Sequence, residues 1–433
     1  MSHISANNPN RYQMKVVIIN KSDSTGGAAV VSRRLMEALR SEGVDAHMLV
    51  TEKLTDSPYV ELAASPNAIR KPFLAERLKI FISNGFNRKT LFKIDTASDG
   101  MPLWNHPLVK EADAVLLNWV NQGMLSLKGI RNILNLGKPV IWTMHDMWCM
   151  TGICHHAAQC EGFMEECGEC PLLGRCKGIN DISHKTWKKK IRLNRNKNKI
   201  TYVAVSNWLA DKALESSLLF KENVIVIPNA FTPPAIPSCR KKKTDEIRIL
   251  FGAARLDDPI KGLPVLIEMT HIIKKENPEL AQRLRLVTFG GVKNPASLEG
   301  IEIPHDYLGI VHGEEKIREV YEAGDILVSA SSYETLPGTL VEAQAYGCIP
   351  VSFNRGGQAD IIDHLSTGYI ANYSGDIKTA AGNLAEGIRW AVALADDPAS
   401  LENIQKRMYE SVATKFSPHA VANAYIDIIS QQT

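Results

Sequence analysis

Short, unbroken apolar runs recur along this chain, each followed by a turn and then by a stretch with helical spacing. Runs at residues 16–20, 46–51, 114–119, 139–144, 202–206 and 224–230 show no alternation of polar and apolar positions. That is how a strand reads when both faces of a parallel sheet are covered. The pattern stops at residues 231–245, FTPPAIPSCRKKKTD, where three prolines and a basic run predict a linker. It restarts at 247–251, 284–289, 307–309, 325–329 and 349–353. Between these runs the spacing predicts helices at about 30–41, 125–136, 264–275 and 314–322, with a turn at 252–255. Alternation of this kind folds into layers of helix on a parallel sheet with right-handed crossovers. Its restart after a linker predicts two such domains, for which 433 residues are ample.

Composition narrows the classes of function. A formal net charge of +3 offers no global attraction to nucleic acid, and no apolar run approaches membrane-spanning length. Residues 1–13 read as a polar tail without an apolar signal core. The expected location is therefore the cytoplasm, where the eight cysteines are not expected to form structural disulfides.

The densest chemistry lies at residues 333–350, YETLPGTLVEAQAYGCIP. Pro337 suits the first turn of a helix, Gly347 its end, and Pro350 blocks continuation. Glu334 then precedes the helix and Glu342 lies more than a turn inside it. Gly338 and Thr339 offer free N–H groups and the positive end of the helix dipole to an anion. Two carboxylates suited to sugar hydroxyls beside an amide nest suited to phosphate fit a nucleotide-sugar. An ordinary capped helix with two solvated glutamates is the alternative.

Two features of the first half fit the same chemistry. Residues 24–29, STGGAA, follow a strand, and Gly26 and Gly27 let backbone approach a ligand closely. A tight strand-to-helix turn is the plain alternative. His145-Asp146 lies just past the run at 139–144, where open α/β sheets bind ligands.

Three further segments stand apart. Residues 70–93 set seven Lys or Arg against one acid, Glu76, with aromatic and aliphatic residues interleaved. This suits an anionic membrane surface, or equally a helix packed on its own domain with a solvated basic face. Residues 185–199 hold eight basic residues and no acid, so RNA and membrane phosphate are open beside the default of a solvated helix face. Cys154, Cys160, Cys167 and Cys170 form C-x5-C-x6-C-x2-C within an irregular, glycine-rich stretch at about 149–176. In a reducing compartment that spacing suggests a structural zinc ion, with free thiols or disulfides as the alternatives.

Taken together these residues resemble the retaining GT-B glycosyltransferases of family 4, the glycosyl transferases group 1. The likeness rests on Arg255 to Gly262 (RLDDPIKG), on Glu334 to Glu342 with Pro337 and Leu340, and on Gly347 to Val351 and Gly356-Gly357. Gly26-Gly27, His145, Ser206 and residues 228–230 match more loosely. Ala230 stands where the family usually has Gly, and Asp360 where it often has Glu. The cysteine-rich insertion resembles one found in a bacterial polysaccharide-assembly subset. The resemblance implies an α/β GT-B fold of two Rossmann-like domains facing a cleft. An acceptor-binding domain would span 14–232 with the insertion at about 149–176. A nucleotide-sugar domain would span 245–415. A terminal helix within 416–433 would cross back to the first domain.

The implied activity is transfer of a sugar from a UDP- or GDP-sugar to a glycan or lipid-linked glycan. Configuration would be retained and no metal cofactor used in catalysis. A place in cell-surface polysaccharide biosynthesis is implied, on the inner face of the membrane. Arg255 and Lys261 would oppose charge on the departing diphosphate, Glu342 would hold ribose, and Glu334 would hold the donor sugar. Gly26 and Gly27 would lie near diphosphate or sugar. His145 would contact the sugar or stabilise positive character at its anomeric carbon. A sugar-nucleotide epimerase of the same fold is the nearest alternative. A zinc-containing nucleic-acid-binding protein leaves the second half unexplained, and no nucleic-acid partner is expected.

Overall fold

The computed structural model describes residues 13–235 and 245–432. The tail at 1–13, except its last residue, and positions 236–244 of the proposed linker lie outside the described residues. The chain divides into two compact units. One holds the described residues up to Val203, with Ala213–Ile225 and those from Val421 on. The other holds Ala204–Lys212 and the described residues of Val226–Ala420.

The first unit is built on a seven-stranded sheet. Its strands are β1 (Lys15–Ile19), β2 (Asp45–Val50), β3 (Val60–Leu62), β4 (Ala114–Leu117), β5 (Val140–Met144), β6 (Ile200–Ala204) and β7 (Asn223–Val226), in the order β3-β2-β1-β4-β5-β6-β7. The pairs β1–β2, β2–β3, β1–β4 and β4–β5 are parallel. Val16 to Ile19 and Ala114 to Leu117 are almost wholly buried, as runs without alternation require. Strand order reverses between β1 and β4, and the crevice beyond the carboxyl ends of two such strands is where an open α/β sheet receives a ligand.

The second unit repeats the plan with β8 (Ile247–Arg255), β9 (Leu284–Gly291), β10 (His305–Tyr307), β11 (Ile326–Ser329), β12 (Ile349–Phe353) and β13 (Tyr369–Ala371). The order is β10-β9-β8-β11-β12-β13, and every pairing is parallel. Its switch point falls between β8 and β11. The core joins Ile249, Leu286, Val328 and Val351 of the sheet to Leu266 and Met269 of the helix Leu263–Glu276 and Leu384 and Ile388 of the helix Ile377–Asp396. The two parallel-sheet, Rossmann-like units make an α/β protein as the sequence predicts.

Two local expectations change. Residues 252–255 are not a turn. β8 continues through them to Arg255, with its register to β9 shifting between Gly252 and Arg255. The Phe289 ring lies where a Cβ on Gly252 would stand, 2.1 Å away, so only glycine admits this packing. The tenth strand lies at His305–Tyr307 rather than at 307–309.

The final helix, Pro418–Ser430, starts after Ser417, whose Oγ accepts from the Ala420 N–H at 3.4 Å. Its apolar stripe lies in the first unit. Tyr425 is buried there, with its hydroxyl 2.8 Å from Thr143 Oγ1 of β5.

Candidate active site

The two motifs of the second unit meet at its switch point. β8 delivers the loop that carries Arg255 and Lys261, and β11 delivers the loop that carries Glu334. Lys261 Nζ donates to Glu334 Oε1 at 2.5 Å, across 73 positions of sequence. Glycines make the approach of the loops feasible. Gly262 has φ 72, and a Cβ there would stand 2.0 Å from the Ala330 carbonyl oxygen. The Ser332 N–H also donates to the Ile260 carbonyl at 2.8 Å. On the other side, a Cβ on Gly356 would stand 1.8 Å from the Glu334 carbonyl oxygen, and that oxygen accepts from the Gly357 N–H at 3.0 Å. The Glu334 backbone is thus clamped between two glycine loops.

The helix that follows runs Gly338–Ala345, with Pro337 as its N-cap rather than its first residue. Gly347, at φ 77, follows the cap residue Tyr346. The helix is only eight residues long, and its first N–H groups, on Gly338 and Thr339, come four and five residues after Glu334. Glu342 sits one turn in and accepts from the Tyr321 hydroxyl at 2.9 Å. Tyr321 is fully buried, stacked on Tyr346 at 5.9 Å, so Glu342 is aimed by a fixed partner. Arg255 is held by its own loop, with Nη2 3.1 Å from Asp258 Oδ2 and Nε 3.3 Å from Asp257 Oδ1.

In the first unit, Gly26 and Gly27 open the helix Gly27–Ser41 beyond β1. Gly26 has φ 89, which explains a glycine at that position. Gly27 carries no such strain, and nothing lies within 4 Å of where its Cβ would stand. Packing therefore does not require a glycine at 27, and the backbone there faces open space. His145 follows β5, 3.3 Å from Asn118 Oδ1 beyond β4. Burial holds its imidazole down at about 4 against the pull of Asp146, so the ring is neutral near pH 7.

Beside it lies a charge network that the sequence did not reveal. His155 Nδ1 is 2.6 Å from Asp146 Oδ2, and its Nε2 is 2.7 Å from Asp95 Oδ2. Asp95 also pairs with Arg77, and Glu76 is buried alongside. Burial favours a neutral His155, but Asp146 and Asp95 outweigh it and raise the ring to about 10. His155 also stacks on Trp119, whose indole N–H donates to Asp146 at 2.9 Å.

The four cysteines of the insertion lie within electrostatic reach of one another, each thiol helping to raise its neighbours. Among the described residues no group of three or more His, Cys, Asp or Glu is arranged to hold a metal ion. Cys154, Cys160, Cys167 and Cys170 are free thiols. Burial pushes Cys154 and Cys170 up to about 12 and Cys167 to about 11. Other contacts hold the insertion. Cys170 packs with Ile80, Ile94, Ile153 and Leu173, and Cys167 Sγ accepts from the Gly152 N–H at 3.1 Å. Lys190 is buried and donates to the carbonyls of Trp148 at 2.5 Å and Thr151 at 2.9 Å. The basic run at 185–199 is therefore not one solvated face, because one of its lysines is an internal strut.

Comparison with known proteins agrees with this geometry. Residues 238–408 match the family described as glycosyl transferases group 1. Over 355 residues, 78% of this chain and 82% of the relative, the chain is 23% identical to WcaC of Escherichia coli K12, a glycosyl transferase assigned to colanic acid biosynthesis. Among solved structures it resembles Anabaena HepE in complex with UDP and glucose, at a TM-score of 0.58 and 15% identity, covering 97% of this chain and 100% of that one. It also resembles WaaG, a glycosyltransferase of lipopolysaccharide biosynthesis, at 0.59 and 15%, covering 96% and 99%. These structural likenesses carry the fold, which is GT-B. With the family match over the second unit, the chain is a glycosyltransferase.

Proposed function

We propose that the protein transfers a sugar from a UDP- or GDP-sugar to a glycan or lipid-linked glycan in polysaccharide biosynthesis, with retention at the anomeric carbon. The observation that carries this reading is the meeting of Lys261 and Glu334 at the switch point of the second sheet, with the Gly338 and Thr339 amides and Glu342 on the same short helix. Glu342, aimed by Tyr321, holds the ribose hydroxyls. Lys261 and Arg255 take the diphosphate, and Glu334 takes the donor sugar. Family resemblance gives Gly26, Gly27 and His145 of the first unit a place against the diphosphate and sugar.

When the bond from the anomeric carbon to the diphosphate oxygen breaks, its electron pair leaves with the diphosphate. Fixed positive charge on Arg255 and Lys261 and the helix N–H groups oppose the growing negative charge. Arg offers a flat two-pronged contact to phosphate, and Lys a point charge. The acceptor hydroxyl bonds to the anomeric carbon from the side the diphosphate leaves, and its proton passes to the departing phosphate oxygen. His145, neutral at physiological pH, can meet a sugar hydroxyl without repelling a carbon that gains positive character. Glu334 and Glu342 do not act as the acid and base of a glycosidase, because Glu342 is occupied with the nucleotide.

The test pairs calorimetry with product analysis. UDP and GDP are titrated into wild-type protein and Glu342→Ala, and the anomeric configuration of the product is read by NMR. Binding of one diphosphate, weakened by Glu342→Ala, and a product that keeps the donor's configuration are expected. An inverted product overturns retention. Failure of both diphosphates to bind overturns the nucleotide-sugar reading. Turnover of a nucleotide-sugar without any acceptor would favour the epimerase.

A further inference from the structure

Asn118 breaks an apolar pattern at the switch point of the first sheet. Ala114 to Leu117 of β4 are buried and apolar, and the next residue is an asparagine that is 3% exposed. Its backbone is held without help from the side chain. The N–H donates to the Ile19 carbonyl at 3.0 Å, and the carbonyl accepts from the Trp142 indole N–H at 3.2 Å. The side-chain amide has one contact, with Oδ1 3.3 Å from His145 Nε2. Nδ2 is buried and has no partner among the described residues. An unpaired buried N–H group costs stability that an apolar side chain at the same place would not. The fold alone therefore gives no reason for an amide here, and a residue that weakens its own strand end marks a functional position.

The contact with His145 supplies the reason. An amide oxygen only accepts hydrogen bonds, so the ring donates to it from Nε2. Burial holds His145 at about 4, so near pH 7 the ring carries one proton, and Asn118 keeps that proton on Nε2. Both the tautomer and the plane of the imidazole are thereby fixed from the neighbouring strand. Asp146, the charged group next to His145, is committed elsewhere. Its Oδ1 accepts from the Trp148 N–H at 2.8 Å and its Oδ2 from the Trp119 indole N–H at 2.9 Å, with His155 Nδ1 at 2.6 Å. His155, which lies between Asp146 and Asp95, answers the charge of Asp146.

We propose that Asn118 is a positioning residue for sugar transfer, one that holds His145 as the Nε2–H tautomer with its ring turned to meet the sugar. This role rests on the transfer reading of the site. Misplacing an orienting group by about 1 Å costs on the order of a hundredfold in rate, which sets the scale of the effect. A ring able to turn about its side-chain bonds would offer N–H or lone pair to the sugar without distinction. A ring made cationic would repel the anomeric carbon as that carbon gains positive character. Asn118 prevents the first by its hydrogen bond. It prevents the second by being neutral, since a carboxylate in its place would draw a second proton onto the ring.

Two variants and one NMR spectrum test this. In wild-type protein with histidine labelled at its ring nitrogens, the His145 signal, assigned by its loss in His145→Gln, should show the proton on Nε2 near pH 7. Asn118→Leu should lower kcat by roughly 10- to 100-fold, while affinity for free UDP or GDP stays within about twofold of wild type. Its melting temperature should equal or exceed that of wild type, because the unpaired amide is gone. Asn118→Asp keeps the accepting oxygen and adds a charge. It should raise the His145 titration by about one to three pH units, move the acid limb of kcat/KM up with it, and recover most of the wild-type rate above that limb. A proton on Nδ1 in wild type, an unchanged kcat in Asn118→Leu, or an unmoved titration in Asn118→Asp overturns the proposal. So does an Asn118→Leu variant that loses several degrees of melting temperature together with its activity, the mark of a residue kept for the fold. If wild type binds neither diphosphate and transfers no sugar, the transfer reading fails by itself, whereas the spectrum and the titrations still decide whether Asn118 holds the ring.

Discussion

Lys261 and Glu334 are expected to act as one unit, and a double-mutant cycle measures it. Lys261→Met keeps most of the side-chain volume and removes the charge. The pair is half sheltered, with side chains 30% and 19% exposed, so stability should fall by only about 1 kcal/mol. The catalytic cost should be far larger. Loss of a charge that opposes the departing diphosphate lowers kcat/KM by roughly 10²- to 10³-fold, about 2.7–4 kcal/mol. Glu334→Gln should cost a similar factor, because it loses its sugar contact and no longer fixes the Lys261 Nζ. If each residue positions the other, the double variant should be little worse than either single one, with a coupling of about 2–3 kcal/mol. Affinity for the free diphosphate separates the roles. Lys261→Met should weaken it roughly tenfold, about 1.4 kcal/mol. Glu334→Gln should leave it unchanged or slightly tighter, since the ammonium is released from its carboxylate. Steady-state kinetics and calorimetry read both quantities. Additive kinetic losses, or a Glu334→Gln variant that binds diphosphate more weakly, would refute the account.

Gly262→Ala should destabilise the second unit by about 2 kcal/mol or more, since it needs φ 72 and places a Cβ 2.0 Å from Ala330 O. A melting temperature within a degree or so of wild type would contradict that, given the usual few degrees per kcal/mol. The half-buried His145 is held down to about 4 in the folded chain, against 6.5 for a free imidazole. Its contribution to stability is complete above 6.5 and is lost as pH falls toward 4, roughly 3 kcal/mol across that window. His145→Gln should therefore flatten the acid limb of the melting curve, and superimposable limbs would show a solvated ring. His155→Gln removes the cation that Asp95 and Asp146 share, leaving Asp95 to Arg77 and Asp146 to the Trp119 N–H, and should cost about 3 kcal/mol, read by denaturant unfolding. Chelation should leave the melting temperature unchanged, because Lys190 and the Cys170 cluster hold the cysteine insertion; a fall on chelation would show thiols closing on a metal.

Local punctuation made the second unit easy to read. Pro337, Gly338 and Gly347 bracket a helix in the sequence as they do in the fold, and Glu334 and Glu342 follow from that frame. Arg255 was read as part of a turn because Gly252 looks like a breaker. Only the ring of Phe289, 37 positions later, makes that glycine a strand residue. β3 and β13 have three residues each, too few to show a period. The His155 network joins residues up to 78 positions apart, and no spacing along the chain encodes such a meeting. The burial of Lys190 and Glu76 was equally hidden. Each lies in a charged stretch that looks solvated until the helix phase is known.

Tyr425, in the last helix, completes the interior of the unit that begins with β1. The ribosome therefore releases the first sheet long before the residue that closes it. Synthesis at about 5–20 residues per second leaves the first unit waiting tens of seconds. During that time the second unit, contiguous but for nine residues, can fold to completion. The waiting unit exposes the apolar ground around Thr143, as would a fragment cut at the proline-rich segment. Expression of residues 1–235 alone should yield a sticky, chaperone-bound product, and supplying residues 416–433 as a separate peptide should restore its solubility. Order of birth, as much as order in space, shapes how this chain reaches its fold.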